Sequence, residues 1–244
     1  MITEYHAAKV IFLCQYQLVD LIKQSFSEFT QLDIQGMDGT DHYIPNPPEF
    51  DWHVPLMSLP RAFNTRPDNV SSAPYLKVCP IDLPSIKKLR VGLVWSGNYW
   101  QHSINIAGIH RRRNLHLSQL LPLFTVPDIE WVSLQKDEPA SQIAELGLPI
   151  DDTYINKSTS FADTAAIIAS LDLAICVDTA VCHLVGALGI PAVVLSRYDA
   201  CWRWLRDRED TPWYTKTVVY TQPIPGDWTT VIAKTVNYLS TFKK

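Results

Sequence analysis

The sequence predicts an α/β protein built on a parallel sheet, and three observations carry that expectation. After Lys88, short apolar runs alternate with helix-compatible segments, the pattern of βα units whose helices cover a parallel sheet. Leu171–Leu195, LDLAICVDTAVCHLVGALGIPAVVL, holds a whole βαβ unit. An apolar run ends at Val177, a helix-length segment covers Ala180 to Leu188, and a second apolar run follows Gly189 and Pro191. Gly just past a helix end and Pro soon after it stop a helix, and Asp ahead of one suits an N-cap. Third, polar residues gather just after the proposed strands, where open parallel sheets bind ligands.

The elements follow in order. Lys9–Cys14 is strand-like and Leu18–Ile22 has a helical pattern. Pro45–Pro84 contains nine of the 17 prolines; proline removes amide donors and fixes φ, so long helices and central strands are not expected there. Phe50, Trp52, Leu56, Met57, Leu59 and Phe63 make the passage too apolar for a free linker, so it should be irregular but packed, ending at a domain boundary near Lys77–Lys88. Arg90–Trp95 is the next strand, closed by Ser96-Gly97-Asn98. His116–Phe124 reads as a helix that Pro122 kinks or ends. Glu130–Leu134 is a strand running into Gln135-Lys136, Ala140–Leu146 a helix closed by Gly147, and Tyr154-Ile155 a very short strand. Ser160 and Asp163 form an S-x-x-D capping box for a helix over Phe161–Leu171. Past Leu195 lies an aromatic, arginine-bearing loop with Trp202, Arg203, Trp204, Arg206, Arg208, Trp213 and Tyr214. Val218–Thr221 is the last strand, and Asp227 caps a final helix, Trp228–Leu239.

At 244 residues, with 47% hydrophobic and 19% charged side chains, the chain is long enough for one large or two smaller globular domains. Its 21 basic and 25 acidic residues give a net charge of −4, which argues against a broad nucleic-acid footprint but leaves room for a local anion site. No run reaches membrane-spanning length, and the N-terminus lacks the layout of a secretory signal. The five cysteines have no C-x-x-C spacing, and Cys176 and Cys182 sit in apolar segments. A reduced, cytoplasmic chain is expected, without metal binding by these thiols.

Ser96, Gly97 and Asn98, then Gln135 and Lys136, then Asp178 and Thr179, then Ser196 and Arg197 follow successive strands. Small donors at helix starts suit a phosphate or diphosphate, and Thr179 and His183, four apart, share one helix face. Each has a plainer reading as well. Asp178 or Thr179 can serve only as an N-cap, and His183 can be an ordinary helical histidine. Ser96-Gly97-Asn98 can be a simple turn, and Arg111–Arg113 a solvated charge run. The tryptophans of the 202–214 loop can pack beneath it or form a wall for a base or sugar. No P-loop, G-x-G-x-x-G, G-x-S-x-G or H-E-x-x-H is present. Spacing alone therefore gives an anionic-ligand site and no reaction.

Several stretches together resemble a known family: VGLVWSGN (91–98), WVSLQ (131–135), FADTAAIIASLDLAICVDTAVCHLVGALGIP (161–191), WRWLRDREDTPWY (202–214) and GDW (226–228), with FDWHVPLMSLPRAF (50–63) and APYL (73–76). They are similar to the glycosyltransferase domain of bacterial tetratricopeptide-repeat proteins, related to glycosyltransferase family 9 and the heptosyltransferases. The resemblance implies a GT-B-like fold: a truncated, Rossmann-like N-terminal half over 1–76, a linker over 77–89, a Rossmann-like nucleotide-sugar-binding domain over 90–225, and a last helix over 226–244 that returns towards the N-terminal half. It implies a nucleotide-diphosphate sugar as donor, an unknown protein or glycan acceptor, and neither metal nor cofactor. Ser96, Gly97 and Asn98 would meet the diphosphate, Asp178, Thr179 and His183 the diphosphate and sugar, and Gln135 the nucleotide. Arg112, from the arginine run, would add positive charge. The family's G-x-G-D loop, which carries its catalytic carboxylate, has no counterpart in the eight residues before Lys9. The catalytic base is thus unassigned; Asp51 and His53 are merely able to titrate. A catalytically inactive nucleotide-sugar-binding remnant is the alternative expectation, and a sugar-nucleotide epimerase a third.

Overall fold

The computed structural model describes residues 6–37, 48–84, 87–97 and 104–243, with side chains from 107 onward in the last stretch. The N-terminal part is a small unit of strand β1 (Val10–Gln15), helix α1 (Val19–Ser25) and strand β2 (Leu32–Met37). The two strands pair in parallel, Val10 opposite Leu32 through Gln15 opposite Met37. β2 has no counterpart among the sequence expectations. Its residues LDIQGM interleave polar and apolar side chains in a run too short and mixed to be told from a loop.

The rest of the chain builds a six-stranded sheet. β3 (Leu89–Val94) is followed by helix α3 (Ile104–Arg113), β4 (Ile129–Ser133), helix α4 (Gln142–Leu146) and β5 (Ile150–Asp151). Helices α5 (Thr153–Lys157) and α6 (Phe161–Ile168) lead to β6 (Leu173–Val177), α7 (Ala180–Ala187), β7 (Ala192–Ser196), β8 (Thr217–Thr221) and helix α8 (Trp228–Thr241). In the 48–84 passage, a 3₁₀ turn over Leu56–Ser58 precedes helix α2 (Leu59–Ala62), a single turn. Strand order is β5-β4-β3-β6-β7-β8, every pairing parallel. Counted from β3, that is the doubly wound order 3-2-1-4-5-6, with its topological switch point between β3 and β6.

Burial explains why these runs are strands. All residues of β6 and β7 are buried, as expected where helices cover both faces of a parallel sheet. Successive side chains alternate between faces. Val94, Ala174, Cys176 and Val194 join one core with α6 and α7, while Val91, Leu93, Ile175, Val193 and Leu195 join another with Leu117, Leu120 and α8. The expected α/β class, with a Rossmann-like C-terminal sheet and a smaller parallel N-terminal unit, holds.

Several boundaries differ. His116–Phe124 is not α-helical: a 3₁₀ segment spans Leu117–Thr125 with Pro122 inside, entered through a capping box of His116 and Gln119. Pro122 has no N–H to give to an α-helical ladder. Tyr154-Ile155 lies in helix α5, and the short strand is Ile150–Asp151, paired with Trp131 and Val132 of β4. There, Asp151 accepts from Thr153 N at 2.9 Å and turns the chain into the helix. The Ser160–Asp163 capping box and the Asp227 cap form as expected. Helix α8 packs on β7, β8 and the 117–125 segment, within the same sheet domain.

The expectation of a packed 48–63 passage fails for its largest side chains. Trp52 is 92% exposed and Met57 72%, and Phe50 and Leu56 are also exposed. Pro55 and Pro60 limit the passage to two single turns, so no longer element carries these side chains onto either sheet. The stretch after it behaves differently. Tyr75 N and Leu76 N donate to Ala187 O at 3.0 and 3.1 Å, and Ile81 N donates to Ala166 O at 3.2 Å. Leu76, Val78 and Ile81 pack on the core beneath α6 and α7. Residues 75–81 are thus a strap bound to the sheet domain. No helix among the described residues is long and apolar enough to cross a membrane.

Candidate functional site

The loops after β3 and β6 meet at the switch point. Trp95 N and Ser96 N both donate to Gln135 Oε1, at 3.1 and 2.9 Å, and Gln135 Nε2 donates to Ser96 O and Lys136 O at 3.0 and 2.9 Å. Gln135 is buried and its carboxamide is fully engaged, so it braces the loop. On the other side Gly97 N donates to Asn114 Oδ1 at 2.9 Å, and Asn114 Nδ2 returns a bond to Gly97 O at 3.1 Å. Two amide side chains therefore hold Ser96-Gly97 in place. A Cβ at Gly97 would run into the guanidinium of Arg113, and Thr179 Cγ2 would lie 3.0 Å away. The glycine is what lets Arg113 close over this corner.

Across from it, α7 starts without a side-chain cap. Thr179 sits at the N-cap in an extended conformation, yet its hydroxyl makes no cap bond. Its Oγ1 is buried and has no partner among the described residues. Asp178, also buried, gives no cap bond either. The simple N-cap reading of both residues is therefore set aside. The first amides of a helix have no intrahelical acceptor, and with the aligned peptide dipoles they favour an anion.

The three arginines of the run separate. Arg112 pairs with Asp199 at 2.9 Å on the surface, and Asp199 also pairs with Arg197 at 2.8 Å, so Arg112 ties down the loop after β7. Arg113 is half-buried against Gly97 and Thr179. Its Nη2 donates to His110 Nδ1 at 2.8 Å, while its Nε is buried without a partner among the described residues. Burial is the largest influence on its pKa and lowers it, opposed by the negative charge of Asp178. Burial, followed by Arg113 itself, lowers the pKa of His110, consistent with a neutral ring accepting from the guanidinium.

His183 lies one turn into α7. Its ring stacks on Trp204, centroids 5.1 Å apart and planes within 5°. Nδ1 lies 3.1 Å from the Tyr214 hydroxyl, and Nε2 lies 3.9 Å from Asp178 Oδ1. Burial lowers its pKa more than Asp178 raises it, so the ring is neutral at pH 7. Asp178, Cys182 and His183 each offer one ligand atom within 4.8 Å of the others, a set that could hold a metal ion. The Cys182 thiol, however, donates to Thr179 O at 3.0 Å, and burial pushes its pKa well up. Arg113 is already beside the same carboxylate. The fixed positive charge favours an anion here over a second cation.

Of the residues singled out from sequence, the fold brings Ser96, Gly97, Asp178, Thr179 and His183 to one corner. Gln135 stands behind it as a brace, and Arg112 lies outside it. Asn98 lies outside the described residues. Lys136 turns away, its Nζ donating to Ser158 O at 2.8 Å. The structure adds Arg113, Asn114, Trp204 and Tyr214 to this corner, to which the sequence alone assigns no separate role. Asn114 had a signal, standing next to the arginine run, while Trp204 and Tyr214 were grouped with the rest of the aromatic loop.

No family model matches the chain. Protein FlbA of Caulobacter vibrioides is 27% identical over 159 residues, covering 63% of this chain and 25% of that protein. Among solved structures, the Escherichia coli ADP-heptose lipopolysaccharide heptosyltransferase II has a TM-score of 0.45 at 14% identity, over 64% of this chain and 47% of that one. The E. coli heptosyltransferase WaaC with ADP has a TM-score of 0.46 at 14% identity, over 65% and 46%. The chain thus spans a quarter of the curated relative and less than half of each of these solved chains.

Proposed function

We propose that the corner between β3 and β6 binds the diphosphate of a nucleotide sugar, and that an active form transfers the sugar to an acceptor hydroxyl. The observation that carries this reading is the set of unused donors around Gly97: an uncapped helix start, and the Thr179 Oγ1 and Arg113 Nε, which have no partner among the described residues. They suit a charged oxygen group that leaves the protein with its negative charge increased. Arg113 rather than Arg112 supplies the positive charge, and no metal or other cofactor is needed for that purpose. The kinship to glycosyltransferase family 9 rests on the motifs quoted above. The five free thiols suit the reducing cytoplasm.

In transfer, an acceptor oxygen forms a bond to the anomeric carbon as the bond from that carbon to the diphosphate oxygen breaks. The nucleoside diphosphate leaves, and the acceptor's proton passes to a base. Among the described residues the carboxylate at the corner is Asp178, buried beside Arg113 and His183. It is placed to orient donor-binding groups, which favours a second reading: a nucleotide-sugar binder that does not itself transfer. Calorimetric titration with ADP, UDP, GDP and their sugars tests both. Saturable binding lost in Thr179→Val and Arg113→Met supports the site, and failure of every nucleotide to bind at millimolar concentration overturns it. Donor hydrolysis or transfer by the purified chain rules out the binder-only reading, and interconversion of two sugars on the nucleotide would indicate an epimerase.

A further inference from the structure

We propose that Tyr214 is a positioning residue that holds His183 in one tautomer, with its Nε2 hydrogen free for the bound anion. The proposal rests on the donor reading above for its functional meaning and on local geometry for the tautomer. His183 presents two nitrogens to two different surroundings. Nε2 faces the Asp178 carboxylate at 3.9 Å, which favours a hydrogen on that nitrogen. The distance is too long for a hydrogen bond, so that hydrogen is not consumed within the protein. Nδ1 is then the acceptor, and the Tyr214 hydroxyl 3.1 Å away is its donor. The Tyr214 hydrogen is then committed to Nδ1, so one direction runs through both groups.

The helix is shaped to seat this arrangement. Gly186 lies within α7, where glycine is unfavourable, and a Cβ there would strike the Tyr214 ring, which supplies all three of its nearest atoms. Gly189, at φ +73°, ends the same helix, and a Cβ there would strike Pro74. Tyr75 N and Leu76 N then fasten the strap to Ala187 O. Trp204, stacked on the imidazole, blocks ring rotation that would exchange the two nitrogens. The strap thus packs against the same helix that carries His183.

The test is made on the full chain with ¹⁵N-labelled histidine at pH 7.5, reading which ring nitrogen of His183 carries the hydrogen. Wild type should show the Nε2–H form alone, and Tyr214→Phe a mixture of tautomers. Nucleoside diphosphate affinity should fall roughly threefold to tenfold in Tyr214→Phe, the loss of one ordinary hydrogen bond's worth of positioning. An Nδ1–H form in wild type, or His183 resonances unchanged in Tyr214→Phe, overturns the proposal. If wild type binds no nucleotide, the donor reading fails while the tautomer measurement still decides the relay.

Discussion

The molecule contains two parallel sheets built to different standards. In the C-terminal sheet every residue of β6 and β7 is buried, and side chains from both faces enter extended cores. In the N-terminal unit, Val10 to Leu13 of β1 are only half-buried, and the core consists of Cys14, Val19 and Ile34 with partly covered neighbours. The same parallel pairing thus sits on very different amounts of buried apolar surface, the dominant favourable term in folding. The difference teaches where this protein can hold a precise site. The corner between β3 and β6 stands on buried strands, whereas the two most exposed large apolar side chains among the described residues, Trp52 and Met57, fall in the passage that follows the small unit.

The strongest way to break this comparison is to remove matched side chains from each sheet. Ile175→Ala, at a fully buried position of β6, should cost about 2–5 kcal/mol in denaturant unfolding, since it loses transfer energy and leaves a cavity. Ile11→Ala in half-buried β1 should cost about 1 kcal/mol or less, because the site is already partly wet and can relax. Equal losses would mean that both sheets share one cooperative core of similar quality.

A second pair sharpens the comparison at the site. Arg113→Met should reduce nucleoside diphosphate affinity by about 10- to 100-fold, the range of one lost charge-assisted hydrogen bond. Arg112→Met, which only releases the surface pair with Asp199, should change it by less than about threefold. Calorimetry on the two variants gives the ratio. A larger loss in Arg112→Met would move the anion to the loop after β7.

How much of this was legible in the sequence follows the same division. β6, α7 and β7 could be read almost to the residue because full burial leaves an unbroken apolar run, and Gly189 and Pro191 mark the ends. The polar corner could be read because topology alone brings the ends of β3 and β6 together. What could not be read depended on side-chain direction. Arg112 and Arg113 are adjacent on one helix and differ only in which way they point. Gln135 has the composition of a ligand contact, but its four hydrogen bonds are all internal. In the 48–63 passage, apolar composition was a poor guide because proline left no long element to carry the side chains inward.

Packing around α7 gives a third, smaller effect. Gly186→Ala adds a methyl group where the Tyr214 ring lies, and overpacking of this kind typically costs about 1–3 kcal/mol despite the better helix propensity of alanine. Gly147→Ala should cost about 1 kcal/mol for a different reason, its left-handed φ of 59° with open space around it. Thermal unfolding separates the two by their effect on His183, whose ¹⁵N resonances should move only in Gly186→Ala. A stabilised Gly186→Ala would show that Tyr214 can leave its seat without penalty.

The smallest effect is in pH. Burial lowers the pKa of both His183 and His110 in the folded chain, while the unfolded chain has the ordinary value near 6.5. Below about pH 6.5 the unfolded chain takes up protons that the folded rings still refuse, so unfolding is favoured as pH falls. The stabilisation is therefore complete above about pH 6.5 and is lost progressively below it, until the folded rings are protonated too. Asp178 and Arg203 act on His183 in opposite senses, and Arg113 acts on His110. His183→Gln should flatten the dependence of unfolding free energy on pH between about 5 and 6.5 without abolishing it, because His110 still contributes. An unchanged slope would mean that water reaches the imidazole as freely in the folded protein as in the unfolded chain. The donor corner would then lack the dry surroundings that set it apart from the half-buried N-terminal sheet.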